Sequence, residues 1–178
     1  MVVMEPLNSI LARMGASKQA WALLRQGMKP EEFVAALVEQ KEYLSAIDFM
    51  AHAMPPRESV WWGCLCLQHA YGENLAPLDR TALQAATVWV VWPTEKYRAR
   101  AYPHAQAAGM SSPAGALAMA AYLVGVPGPV AVTPANAVAN AVKMATTKGA
   151  PAKIKDTQRL FVELGVGVAE GRFVWPKA

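Results

Sequence analysis

The chain has 178 residues, 54% of them apolar and only 17% charged, with a formal net charge of +4. That length suits one domain whose core buries roughly 70% of the unfolded chain's surface, and the composition excludes an intrinsically disordered chain. The start MVVMEPLNSIL has no basic n-region, apolar h-region or small-residue cleavage site, so no secretory signal is read and a cytoplasmic protein with reduced thiols is expected.

From the N-terminus onward, apolar residues recur at three- and four-residue spacing: Trp21 and Leu24; Phe33, Val34, Leu37 and Val38; Leu44, Ile47, Met50 and Ala51. Strand alternation and hairpin-turn dipeptides are missing. Proline opens the helical patterns. Lys29-Pro30-Glu31-Glu32, Pro55-Pro56-Arg57-Glu58, Ser112-Pro113 and Thr133-Pro134 each precede one, and Pro77 with Asp79 and Pro151 before Lys153 extend the series. Proline's missing N–H is harmless in the first turn, where Ser112 and Thr133 are good N-caps and the glutamates suit the helix dipole. Gly15, Gly27, Gly72, Gly109, Gly125 and Gly149 stand where helices should end. The pattern predicts an all-α fold, one compact domain over residues 1–178 with eight or nine helices in an antiparallel or orthogonal array. Pro56 and Pro113, and Pro77 and Pro134, share an offset of 57 residues. A duplicated helical hairpin and one capping solution used twice both fit that echo.

The stretch PPRESVWWGCLCLQHAYG, residues 55–72, concentrates the chemistry-bearing side chains. On a helix Cys64 and Cys66 diverge by roughly 200° and cannot pair. Cys66 and His69 share a face, but His52 and His104 are isolated and no second ligand pair completes a metal site. A thiol among Trp62, Leu65 and Leu67 reads as inert rather than as a nucleophile. Every face of this helix is apolar: Val60, Cys64, Leu67 and Tyr71; Trp61 and Leu65; Trp62 and Cys66. Such a helix belongs in the middle of a bundle. Gly63 predicts a close crossing by a neighbour. Arg57 opposes the dipole in its first turn and needs a partner. Asp48, Glu42 or another helix's carboxylate would supply a structural ion pair, and a ligand or partner protein is the alternative.

VWVVW, residues 88–92, is one of two aromatic pieces with exposed possibilities. Residues 101–142 then carry no Lys, Arg, Asp or Glu. Pro113, Pro127, Pro129 and Pro134 interrupt this run, and its longest helical piece is too short to span a bilayer, so a buried helix and a Pro/Gly loop are expected. From Ala135 onward, seven Lys/Arg (Lys143, Lys148, Lys153, Lys155, Arg159, Arg172, Lys177) face three acids, which accounts for the whole positive excess. That region could meet nucleic acid, although solvated helix faces are the commoner reason for such lysines. Gly165-Val-Gly167 lacks the strand and third glycine of a dinucleotide loop and reads as a place of close packing. Phe173 and Trp175 in RFVWP either dock a partner, with Arg57, or cover the core.

Taken in order, Trp21-Ala22, Pro56-Arg57-Glu58-x-Val60-Trp61-Trp62 with Cys64, Ser112-Pro113-Ala114, Ala118-x-Ala120-Ala121-Tyr122 and Asn136-Ala137-Val138 resemble an uncharacterised bacterial family of unknown function of about this length. The resemblance implies a small helical cytoplasmic protein whose relatives associate with gene clusters for secretion machinery such as type VI systems. It marks Pro56, Arg57, Glu58, Trp61, Trp62 and Cys64 as motif positions and supplies no catalytic residue. The expectation is therefore a non-catalytic adaptor or chaperone that binds another protein, with no cofactor, no metal and no membrane insertion. The uncharged 101–142 region or the Trp175 tail would contribute to its interface. Nucleic-acid binding by the basic C-terminal helices is the first alternative, and an enzyme with a site near Arg57 and His69 the second.

Overall fold

Prolines and small polar caps set where the helices begin. The computed structural model describes residues 5–128 and 130–177. Met1–Met4, part of the start read for a leader, and Pro129 of the Pro/Gly loop lie outside them. In chain order the helices are α1 (Leu7–Met14), α2 (Lys18–Leu23), α3 (Pro30–Glu39), α4 (Tyr43–Ala53), α5 (Pro56–Tyr71), α6 (Pro77–Val91), α7 (Glu95–Ala108), α8 (Pro113–Leu123), α9 (Pro134–Thr146) and α10 (Ile154–Ala169). A 3-10 turn, Pro151–Lys153, leads into α10, and the described residues contain no strand. The fold is all-α, with more helices than the expected eight or nine because the short α1 and α2 are separate. Gly15 turns left-handed at φ 65° to end α1, and the Ser17 hydroxyl then accepts from the Ala20 N–H to start α2.

Five helices carry proline at their first position. Ser112 and Thr133 accept from the backbone N–H groups of Gly115 and Asn136, as the sequence predicts. Among the glycines expected at helix ends, Gly149 alone lacks a positive φ. Leu44 and Trp21 depart from the predicted apolar faces and are exposed. On α4 the neighbouring Tyr43, Ala46, Ile47, Phe49 and Met50 turn inward instead.

The uncharged run forms the centre of the molecule. Seven of the eleven α8 residues are buried, and α8 packs against α5, α6, α7 and α9. The alanines that dominate α8 let neighbours approach closely, while the same run leaves Tyr102 and Met110, ahead of α8, exposed. No helix among the described residues is long and apolar enough to cross a membrane. The 57-residue echo has a structural counterpart: α5 packs on α9 while α6 packs on α8, and α4 meets α9 as α7 meets α6. The two proline-started hairpins thus contact each other reciprocally.

Trp62 locks α10 to α5. Its indole is fully buried, and its Nε1–H donates to the Phe161 carbonyl of α10 at 2.8 Å. A ring of that size removes about 200 Å² from water, roughly 5 kcal/mol of transfer free energy. Gly165 makes the contact possible, because a Cβ there would lie 2.9 Å from the indole nitrogen and would also strike Met50. Gly63 does the same for the α5–α8 crossing, where a Cβ would meet a Leu117 methyl at 2.5 Å. Both glycines were read as close-packing positions, and the partners are now explicit.

Candidate functional site

The face of α5 that carries Trp61 and Leu65 departs from the expected fully buried helix. Val60, Trp62, Cys64, Cys66 and Leu67 are buried, but Trp61 and Leu65 are half-buried and Gln68 is exposed. Opposite them, the VWVVW run of α6 divides between two sides. Trp89 and Val90 point into the core, whereas Val88 and Val91 are half-buried and Trp92 is 44% exposed. Between the two helices lies a groove of about 790 Å³. Trp61, Leu65 and Gln68 form one wall; Gln84, Thr87, Val88, Val91 and Trp92 form the other. The Ala-rich α8–α9 pair makes closer contact than α5–α6, and the bulky facing side chains of α5 and α6 account for the opening.

Cys64 lies in the groove floor. The Thr87 hydroxyl donates to the Leu83 carbonyl at 2.9 Å and sits 3.5 Å from the Cys64 sulfur. Burial pushes the Cys64 thiol up to about 12 and Cys66 well above its ordinary value. Both thiols are free and protonated at neutral pH, so neither is an activated nucleophile. No group of three or more His, Cys, Asp or Glu side chains is placed to hold a metal among the described residues.

One end of the groove is built from the residues singled out in the sequence. Arg57 donates from Nε to the Val90 carbonyl at 2.6 Å and from Nη2 to the Val91 carbonyl at 3.1 Å. Its guanidinium also lies 4.3 Å over the Trp175 ring. Among the described residues no carboxylate pairs with Arg57: Asp48 accepts from Lys143 of α9 at 2.7 Å instead. Arg57 finds its counter-charge in the last carbonyls of α6, at the negative end of that helix dipole. The neighbouring Trp61 donates its indole N–H to the Phe173 carbonyl at 3.0 Å, while the Phe173 ring covers Gly167 on α10. Arg57, Trp61, Phe173 and Trp175 are therefore brought together, but as contacts within the chain, with Val174 left 68% exposed between the two anchors. Pro56 opens α5, and burial raises the half-buried Glu58 carboxyl above its ordinary range.

The opposite end is closed by Gly72, Glu73, Leu75 and Arg80, with Arg80 donating to the Glu73 carbonyl at 2.8 Å. A second groove, of about 420 Å³, runs along the other flank of α6 and shares Gln84, Val88 and Trp92 with the first. Tyr97, Arg100 and His104 of α7 form its far bank, and the Tyr97 ring lies 5.9 Å from Trp92.

The family model covers this whole arrangement apart from the tail, matching residues 33–169. The chain belongs to a family of unknown function, DUF6931. No curated protein and no solved structure matches it. In this DUF6931 chain α1, α2 and the Phe173–Trp175 anchors fall outside the matched span, whereas both walls of the α5–α6 groove fall inside it.

Arg57 and His69 are not assembled into one site. They stand twelve residues apart on α5, about 18 Å along its axis, and His69 packs edge-on against Phe161 of α10. In the basic C-terminal region Lys143, Arg159 and Arg172 each pair with a carboxylate, and Lys148 and Lys155 lie over Tyr71 and Tyr43. The sequence reading missed Arg80, Tyr97 and Arg100. Their signal was present only as the i, i+4 series Gln84, Val88 and Trp92 on α6, which marks an exposed apolar ridge between two flanks.

Proposed function

We infer that this protein is a non-catalytic helical adaptor or chaperone that binds a helical segment of another protein in the α5–α6 groove. The observation that carries the reading is the groove itself, with Trp92 exposed on its rim and Trp61, Leu65, Val88 and Val91 half-buried along its walls. Aromatic side chains in such a cleft are the anchors on which interface energy concentrates. Its only thiol, Cys64, is held protonated, which supports binding rather than covalent chemistry. A place as an accessory of a bacterial secretion system is the finer form of this proposal, and it rests on the family resemblance.

A photo-crosslinking side chain at Gln84, exposed between the two grooves, tests the reading in the native cell, with exposed Asn140 on α9 as the control position. The expected result is a defined protein crosslinked from Gln84 and not from Asn140. Once purified, that protein binds the wild-type chain and fails to bind Trp92→Glu at unchanged melting temperature. Equal labelling from the two positions, or binding indifferent to Trp92→Glu, overturns it.

A further inference from the structure

The walls of the groove also restrict the chemistry of its occupant, and, resting on the reading above, we propose that the occupant is an amphipathic helix flanked by acidic side chains. Both walls are helices, so no free strand edge is offered to an extended peptide. Gln68, Glu73, Arg80, Gln84 and Thr87 are the few polar side chains that line the groove. An extended chain laid there would lose water from backbone groups that these side chains cannot all satisfy. A helix satisfies its own backbone and offers only side chains. The lengths agree: Trp61 to Gly72 on α5 and Leu83 to Trp92 on α6 each cover about three turns, roughly 15 Å. That span accommodates apolar anchors at i, i+3 or i+4, and i+7.

Arg80 and Glu73 balance within the groove, and the positive excess comes from the flank across α6. Arg80 lines the groove's closed end, Arg100 lies across the shared ridge, and Lys96 stands 5.6 Å over Tyr97 beside Trp92. None of the three forms an ion pair with a carboxylate among the described residues. Glu73 is the acid that lines the groove, and Glu95 nearby is held by Arg98 through both of its oxygens. Around the two adjoining grooves, Arg80, which donates to the Glu73 and Leu75 carbonyls, and Lys96 and Arg100 beside Tyr97 thus stand without a carboxylate partner against one acid free of an ion pair, Glu73. Carboxylates flanking the apolar ridge of a docked helix complete these pairs; lysines there are repelled. A nucleic-acid strand uses the same cations but leaves the apolar walls between α5 and α6 unfilled.

The test uses the full-length protein and two synthetic 18-residue helical peptides that share one apolar ridge and carry glutamates or lysines beside it. Binding is followed by calorimetry at low and high salt, with a fluorescent single-stranded oligonucleotide as competitor. The acidic peptide is expected to bind about tenfold more tightly than the basic one at low salt, an advantage that shrinks at 0.5 M salt, where screening is nearly complete. The double variant Lys96→Gln/Arg100→Gln, which leaves the Arg80 bonds to the Glu73 and Leu75 carbonyls in place, is expected to remove most of the preference at unchanged melting temperature. Equal affinity for the two peptides overturns the acidic helix and leaves the groove reading standing. Binding of neither peptide overturns both. An oligonucleotide that displaces the acidic peptide replaces the inference with nucleic-acid binding.

Discussion

Arg57→Met removes the guanidinium while keeping most of its aliphatic stem, and so tests whether Arg57 is structural. Three contributions disappear with it. The hydrogen bonds to the Val90 and Val91 carbonyls, at 2.6 and 3.1 Å, come from a charged donor, about 1.5 kcal/mol each at the low end. Water reaches the C-terminus of α6 beside the exposed Trp92 and replaces part of this, so the pair is counted once. The charge at the negative end of α6 adds about 0.5–1 kcal/mol, and the stack on Trp175 at 4.3 Å about the same. The expected loss is about 3 kcal/mol in urea unfolding, or roughly 6–12 °C in Tm for a chain of this size. Arg57→Lys, which keeps charge without the planar fork, should lose about half as much. A double-mutant cycle with Trp175→Ala should return a coupling of about 0.5–1 kcal/mol. Asp48→Asn, which breaks the Lys143 pair, should be additive with Arg57→Met. A loss below 1 kcal/mol for Arg57→Met would refute the capping role, and strong non-additivity with Asp48→Asn would restore the carboxylate partner.

Gly165→Ala gains about 1 kcal/mol of helix propensity, but its Cβ meets the Trp62 indole at 2.9–3.0 Å and displaces the donor to Phe161. Overpacking plus the lost hydrogen bond gives a net destabilisation of about 1–3 kcal/mol by chemical denaturation. Gly63→Ala meets the far end of flexible Leu117 and should cost less; a stabilised Gly165→Ala would show that the indole does not sit there. The Cys64 thiol is raised from 9.0 to about 12, so at high pH the unfolded chain gives up its proton first. Stability is therefore fully present below pH 9 and falls as the pH climbs from 9 towards 12, a slope that Cys64→Ala should flatten in part, leaving the Cys66 share. Iodoacetamide labelling at pH 8 should be limited by opening of the fold; rapid labelling of the native protein would contradict a buried, protonated thiol.

The helices were legible because their starts are written locally. Pro30, Pro56, Pro77, Pro113 and Pro134 each need only the first turn to be recognised, and Ser112 and Thr133 cap the turns they were expected to cap. The burial of α8 was legible for a similar reason, since a stretch without charge has little to offer water. The groove was not. Trp61 and Trp62 are neighbours in sequence and equal in composition, yet one lines an open cleft and the other fills the core. The same holds for Trp89 and Trp92. Which of two adjacent rings faces out depends on how closely α5 approaches α6, a property of the pair that neither segment states. A cation in a first helical turn announces that it needs a partner, but its sequence suggests a carboxylate, whereas the partner is the backbone at the end of another helix.

That difference bears on how the surface charge should be read. Arg13 donates to the His52 carbonyl at the end of α4, Arg57 to the carbonyls at the end of α6, and Arg98 to the Tyr122 carbonyl in the last turn of α8. Three helices therefore end on an arginine sent from elsewhere in the chain, and the dipole supplies much of the negative charge that a carboxylate would otherwise bring. Two of the cations that such capping leaves without either kind of partner stand beside α6. Lys96 and Arg100 lie on the Tyr97 ring, near the exposed Trp92, and neither donates to a helix end or to a carboxylate among the described residues. A chain with few charges thus uses three of its arginines to close helices and leaves two cations unanswered next to the α5–α6 groove. An acidic helical partner would read the place of these two beside apolar walls rather than the total of +4.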